Sequence, residues 1–345
     1  MTTTENRTPR HLGPEETRAF LVRLFTAAGA SDANALVVVD HLLDASLVGL
    51  HSHGVLRAPD YLDYVEQGVI APAAEPRLER EDGSVALYDA ARCFGQVAGR
   101  LAVDEVARRA VDGSAVVTVR RAGHLGRIGA YVEDLATAGL LGLAFCSVPA
   151  RYHNVAWFGT REGRLGTNPI AYAFPTGGAP VVADFSTSAL PEGKVRFLRN
   201  QGLTAPDGAL RDAAGQPTAD PAVLYADPPG TLQPLGGAQG HKGSALGLLV
   251  EALGTLHAGE AVDDPARENN LTLIAVRVAN DFPTLASSLV DHVHRSAPLD
   301  PTAPPMVPGE PEQRARAASE TIVVDPVTWQ RLAVHAARHG VALPG

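Results

Sequence analysis

Residues 114–147 read SAVVTVRRAGHLGRIGAYVEDLATAGLLGLAFCS. Residues 114–119 form an apolar, β-branched run, 120–126 a glycine-containing turn, and 128–138 have helical spacing, with Gly139 placed to close the helix. Residues 141–147 are strand-like again. Strand, helix and strand fit within about 35 residues, the size of a βαβ unit. Both strands are apolar along their length, which predicts a sheet covered on both faces.

Upstream, the periodicity predicts helices over 14–28, from Ser31 as N-cap to about 50, over 58–67 and over 96–111. Downstream it predicts strands over 170–174, 181–185 and 271–278, and helices over 244–256 and 328–338. Proline and glycine gather at 205–240 and proline at 298–311, which predicts long loops. Residues 1–12 read as a loose tail. The class is α/β. It is organised as one unit over 13–342, with a helical lobe (13–75 with 300–342) and a central α/β region (76–299).

The chain has 345 residues, 45% hydrophobic and 19% charged, with a formal charge of −9. That balance suits a compact globular protein and argues against one that coats nucleic acid or anionic membrane. Cys93 and Cys146 make no CxxC pair and no disulfide framework. The polar start has no apolar core of a secretory signal, and no apolar run approaches membrane-spanning length, so a cytoplasmic location is expected.

Several stretches could carry chemistry. His51-Ser52-His53-Gly54 closes a predicted helix; an H-x-H pair can ligate zinc, but no third ligand stands at metal spacing, so no metal is expected and a zinc hydrolase on His51 and His53 is only an alternative. His124, in Gly123-His124-Leu125-Gly126-Arg127-Ile128-Gly129, sits just past the carboxyl end of a buried strand, where open α/β sheets bind ligands. Its glycines are not spaced as a dinucleotide fingerprint, so a Rossmann site is not supported. Asp184 ends an apolar strand and is followed by Phe185-Ser186-Thr187-Ser188; no nucleophile elbow surrounds these hydroxyls. Gly166-Thr167-Asn168-Pro169 is a turn by composition. Lys242, at a helix start, opposes the helix dipole, which suits a bound anion. Pro308-Gly309-Glu310-Pro311-Glu312 reads as loop.

Taken together and in order, these motifs resemble the malate/L-lactate dehydrogenase family, the non-Rossmann NAD(P)-dependent 2-hydroxyacid dehydrogenases. The resemblance runs from about Leu21 to Gly340 and rests on His51–Val55 with Arg57 and Tyr61, Phe94–Ala98, Gly123–Gly129, Gly166–Pro169, Asp184–Ser188, Gly193-Lys194-Val195, Lys242-Gly243 and Pro308-Gly309-Glu310. The segment 126–129 and the Thr328-Trp329-Gln330 ending look most like the hydroxycarboxylate dehydrogenase branch. Residues 156–160 and 190–192 depart from the family pattern, which bears on pocket shape and not on the reaction type.

The resemblance implies a three-layer α/β/α fold with a mixed sheet, and hydride transfer between NAD, or NADP, and C2 of a 2-oxo or 2-hydroxy acid. It implies His124 as proton donor and acceptor, with Asp184 holding and activating its ring. His53, Arg57, Arg127 and Thr167 match substrate-facing positions, either arginine serving as carboxylate clamp. Ser147, Val148, Asp184, Phe185, Ser186, Lys242, Gly309, Glu310 and Pro311 match cofactor positions. A homodimer or larger homo-oligomer is implied. Reduction of a cyclic imine carboxylate is the alternative within the family, and a cofactor-binding protein without turnover the non-catalytic one.

Overall fold

The computed structural model describes residues 8–344. The chain opens with β1 (Arg10–Leu12), α1 (Pro14–Ala27) and α2 (Asp32–Leu47), whose N-cap Ser31 accepts the Asn34 N–H at 3.2 Å. Two 3-10 turns, His51–His53 and Val55–Arg57, lead into α3 (Ala58–Glu66). Then come β2 (Arg77–Asp82), β3 (Val85–Asp89), α4 (Gly95–Arg109), β4 (Ser114–Ala122), α5 (Gly129–Thr137) and β5 (Leu140–Ser147). Short strands β6 (Val155–Ala156) and β7 (Gly163–Leu165) precede β8 (Ile170–Phe174), β9 (Val181–Phe185) and α6 (Glu192–Asn200). Next are β10 (Leu210–Arg211), β11 (Pro217–Thr218), β12 (Thr231–Leu232) and α7 (His241–Glu251), which continues as a π-helical turn, Ala252–Leu256. The chain finishes with β13 (Asn269–Arg277), α8 (Phe282–His294), α9 (Glu310–Ala318), β14 (Ile322–Val324) and α10 (Pro326–His339).

The main sheet has the order β2-β3-β4-β13-β5-β8-β9. Only β3 and β4 pair parallel; the other neighbours are antiparallel. The predicted strand–helix–strand unit exists, but it is split: β4 and β5 run parallel to each other with β13 between them. Alternation along β5 separates the layers. Ala144 and Cys146 join the core under α4 and α5, while Phe145 packs with Val250 of α7. The sheet is thus covered by helices on both faces. The core on the α4/α5 side is continuous with α1, α2, α3 and α10 through Leu21, Phe25, Leu42, Leu62 and Leu332. A second sheet, β11-β10-β12-β6-β7, has its own core of Val155, Leu165, Val195, Leu210 and Leu232.

The structure corrects several expectations. Part of the predicted tail is strand β1, paired with β14; residues 1–7 lie outside the described residues. Strand β4 extends to Ala122, so the turn before His124 is shorter than the predicted 120–126. The predicted 205–240 loop carries β10, β11 and β12. The stretch read as loop at 308–312 instead starts α9 at Glu310, with Gly309 in the left-handed region at φ 97°.

The start of α4 is jammed against the end of β4: a Cβ on Gly95 would lie 2.4 Å from the His124 carbonyl oxygen. Gly95→Ala should therefore push the 123–124 turn aside, at about 1–3 kcal/mol as for other overpacked sites. A lower thermal midpoint with loss of turnover is the expected result; an unchanged protein on both counts would show that the turn is free to move.

Candidate active site

His124 leaves the sheet at the carboxyl end of β4, one residue after Gly123, whose N–H donates to the Cys93 carbonyl at 2.9 Å. Three other segments meet its ring. The Tyr61 hydroxyl, from α3, lies 2.8 Å from Nδ1. Gln96 Nε2, from the first turn of α4, donates to the Tyr61 hydroxyl at 3.0 Å and to the His124 carbonyl at 3.3 Å. The His53 ring stacks on the His124 ring, with centroids 5.5 Å apart and planes 9° apart. Tyr61 and Gln96 are fully buried, so this chain is fixed. Nδ1 is occupied by Tyr61, and Nε2 is the nitrogen left for a substrate.

The imidazoles are held neutral. Burial, then the charges of Arg57 and Arg196, push His53 down to about 4. Burial first, then Arg57 and His53, pull His124 well below its ordinary value. Behind them His41 stacks on Tyr131 and accepts the Arg127 N–H at 3.1 Å through Nε2; burial and Arg127 push it down to about 3. Tyr61 is pushed up by burial and stays a phenol.

The Arg57 guanidinium lies close enough to both rings to depress them. Its Nε donates to the Ser52 carbonyl at 2.7 Å, Nη1 meets Asp60 at 3.3 Å, and Nη2 points toward Gly193 at the start of α6. Arg196 lies three residues on from Gly193, on the same face of α6, and makes no ion pair with a described carboxylate. It was not legible as a site residue, because one arginine in a short amphipathic helix carries no motif.

Other expectations need correction. Asp184 does not hold His124. Its Oδ2 accepts the Gly129 N–H at 2.7 Å, so it satisfies a free donor at the start of α5 from another strand. Tyr61 has the ring-holding role. The Asp184 carboxyl is pushed up to about 6 by desolvation, against the opposing pull of the Gly129 N–H and Arg127. Arg127 is no free clamp: it is buried, with Nη1 on Asp44 at 3.0 Å and Nη2 on Glu133 at 2.7 Å, and Arg316 of α9 shares both carboxylates. Ser147 presents no surface to a cofactor, since it is fully buried and its hydroxyl accepts from Thr255 at 2.9 Å and Arg267 at 3.3 Å. Val148, beside it, is half-buried.

Phe185 is 37% exposed at the end of β9, and half-buried Ser186 donates to the Ser188 carbonyl at 3.1 Å. Thr167 is half-buried, and its carbonyl accepts the Thr187 N–H at 2.9 Å. That turn is anchored by buried Asn168, whose Nδ2 donates to Glu251 at 2.8 Å. Gly309 packs against β9, where a Cβ would lie 3.1 Å from the Val182 nitrogen. Glu310 pairs with His294 at 2.9 Å, and Pro311 is exposed. Lys242 is exposed at the start of α7 and makes no ion pair with a described carboxylate. The neighbouring His241 ring meets Phe158 edge-on at 5.8 Å, so the 156–160 departure packs on that helix start. His51 is exposed, and among the described residues neither His51 nor His53 joins a metal-type cluster; the zinc-hydrolase alternative has no site there.

The sequence profile of the malate/L-lactate dehydrogenase family matches residues 12–333. The chain is 34% identical to the L-lactate dehydrogenase of Cupriavidus necator over 322 residues, 89% of this chain and 91% of that protein. It is 33% identical to hydroxycarboxylate dehydrogenase B of Escherichia coli over 330 residues, 91% of this chain and 90% of that protein. Its fold matches the sulfolactate dehydrogenase of Methanocaldococcus jannaschii with a TM-score of 0.85 at 26% identity, covering 96% of this chain and 98% of that one. The chain belongs to the malate/L-lactate dehydrogenase family.

The neutral imidazoles set an acid limit on stability. Below pH 6.5 the unfolded chain protonates His41, His53 and His124 while the folded chain does not, so stability is lost as pH falls from 6.5 toward 4. Asp184 opposes this between about 4 and 6, because its folded carboxyl keeps a proton that the unfolded one has released. The net uptake on unfolding is about two to three protons. Thermal midpoints should fall steeply from pH 6.5 to 4.5, and less so in His41→Gln; a flat profile would mean that the rings are charged in the fold.

Proposed function

We propose that this chain interconverts 2-hydroxy and 2-oxo carboxylic acids, with His124 moving the proton and a nicotinamide dinucleotide, NAD or NADP, as hydride partner. The observation that carries it is the chain from buried Gln96 and Tyr61 to half-buried His124, beside the guanidinium of Arg57. The chain's residues fit a dinucleotide. The exposed ring of Phe185 ends β9, Lys242 offers an unpaired charge at a helix start, and the buried His53 Nδ1 has no hydrogen-bond partner. When bound, the nicotinamide supplies or accepts the hydride at C2.

In oxidation the free Nε2 of His124 takes the hydroxyl proton; in reduction it returns it to the oxygen at C2. Tyr61 fixes the ring's orientation and Gln96 fixes Tyr61. Arg57 holds the substrate carboxylate, and Arg196 is a second cation on the same side. The cations that depress His124 are the ones a bound carboxylate neutralises, so substrate binding raises the proton affinity of His124 toward the working range. Asp184 shapes the floor by holding the start of α5. Exposed Leu248 and Leu249 on α7 and Leu285 and Leu289 on α8 support a homo-oligomer. No helix among the described residues is long and apolar enough to cross a membrane. Cys93 and Cys146 are buried free thiols pushed up to about 12, in keeping with a reducing cytoplasm.

A panel of pyruvate, oxaloacetate, aryl pyruvates and cyclic imine acids, each with NADH and NADPH, tests the reading. Consumption of the reduced cofactor with a 2-oxo acid supports it. Turnover of imines alone would move the chain to the imine-reductase alternative, and cofactor binding without any turnover would make it a sensor.

His124→Ala should lower turnover by on the order of 10²–10⁴-fold with cofactor affinity kept; near-normal turnover across pH would remove His124 from the chemistry. Tyr61→Phe deletes one hydrogen bond to the ring and should lower kcat several-fold to about tenfold with little change in KM. Arg57→Lys should raise KM for the 2-oxo acid more than it changes cofactor affinity. An unchanged KM would place the clamp at Arg196.

A further inference from the structure

Away from this site, α10 carries His335 and His339, four residues apart on one helix face, and α3 ends at Glu66 directly opposite. Glu66 Oε1 lies 3.3 Å from His335 Nδ1 and 3.8 Å from His339 Nε2, and the three atoms lie within 4.8 Å of one another. Nitrogen and oxygen ligands at about 2.0–2.1 Å from a tetrahedral zinc stand about 3.3 Å apart, close to both distances.

The two histidine nitrogens are also orphaned. His335 Nδ1 and His339 Nε2 are buried and have no hydrogen-bond partner, and His335 is only 3% exposed. On the other side of the His335 ring, Nε2 lies 3.0 Å from Asp63 Oδ1. A proton on Nε2 facing Asp63 leaves the Nδ1 lone pair facing Glu66 Oε1, which is itself only an acceptor. Two acceptors at 3.3 Å repel unless a cation lies between them. The surrounding groups match the outer shell of a metal site. Asp63 orients the imidazole and is held by Arg331 at 2.7 Å, while Arg338 occupies Glu66 Oε2 and leaves Oε1 free.

We propose that Glu66, His335 and His339 bind a divalent transition metal of the zinc type, with the fourth position open to water. Two imidazoles and one carboxylate suit zinc over magnesium or calcium, which prefer all-oxygen sets. Neither helix contributes these residues to the reaction; the metal clamps α10 to α3. That clamp bears on catalysis indirectly, because Tyr61 lies on α3 five residues before Glu66. The sequence could not show the site, since Glu66 is remote in the chain from the histidine pair.

The full-length protein, stripped with a chelator and dialysed, is titrated with zinc chloride by calorimetry and with cobalt chloride by visible absorption. His339→Ala and Glu66→Gln are titrated in parallel, with folding checked by circular dichroism, because both positions are part-exposed and tolerate change better than His335. The expected result is one zinc per chain, a tetrahedral cobalt spectrum, affinity at least about a hundredfold weaker in each variant, and a zinc-dependent rise in thermal midpoint in the parent only. Zinc uptake unchanged in both variants would place the metal elsewhere and overturn the proposal. So would a parent that takes up no zinc, with His335 doubly protonated by NMR at neutral pH; the cluster would then be an imidazolium bridging Asp63 and Glu66.

Discussion

The hydrogen bond between the Tyr61 hydroxyl and His124 Nδ1 joins two parts of the molecule that are otherwise unrelated in sequence. Tyr61 belongs to α3 and His124 to the turn at the carboxyl end of β4, an inner strand of the main sheet. Gln96 ties the pair to α4 by donating to both residues. A buried phenol and amide must be satisfied, and these two partners are how the fold satisfies them. The continuous core beneath, from Leu62 of α3 to Val117 and Val119 of β4, keeps that geometry rigid. The setting of the His124 ring at the carboxyl end of β4 therefore depends on the packing of α3.

Charge in and around the site is arranged by the same logic. The chain is acidic as a whole, yet Arg57 and Arg196 face the imidazole pair while Arg127 is consumed by Asp44 and Glu133. A guanidinium saturated by two carboxylates and one with donors to spare have different tasks. The paired one fastens α9 to α2 and α5, since its two carboxylates also hold Arg316; Arg57, whose one carboxylate contact is Asp60 at 3.3 Å, and Arg196, which has none among the described residues, leave net positive charge beside the rings against the general negative background. On the far side of the sheet, buried Glu251 and Arg267 meet through Thr255 of the π-turn and fix the Asn168 turn. π-turns inside helices are rare and are frequently found at functional sites.

The elements legible in sequence were those with strong periodicity and clear punctuation. Strands 170–174 and 181–185 match their observed bounds, and Ser31 caps α2 as its chemistry predicts. Strands β2 and β3 were missed because β2 is exposed and charged, RLERED, and reads as loop. Helices α6, α8 and α9 were missed because they sit among prolines and glycines. The place of β13 between β4 and β5 was not legible, since pairing partners 150 residues apart leave no local trace. At the site, His124 and His53 stood out by type and position, and Arg57 only through the family resemblance. Tyr61 was visible as part of a motif, but its role came only from the packing of α3; the scaffold roles of Asp184 and Arg127 came from their partners at Gly129, Asp44 and Glu133.

The position of β13 has a consequence for how the protein is made. Its residues, 269–277, leave the ribosome after three-quarters of the chain, yet they form the middle of the seven-stranded sheet. Until they arrive, β4 and β5 each present a row of unpaired backbone N–H and C=O groups on a largely apolar strand. The nascent protein must therefore hold a gap open in its own core while the residues between β5 and the end of β13 are made. Its exposure to chaperones and to misassembly is set by the time taken to translate residues 148–277.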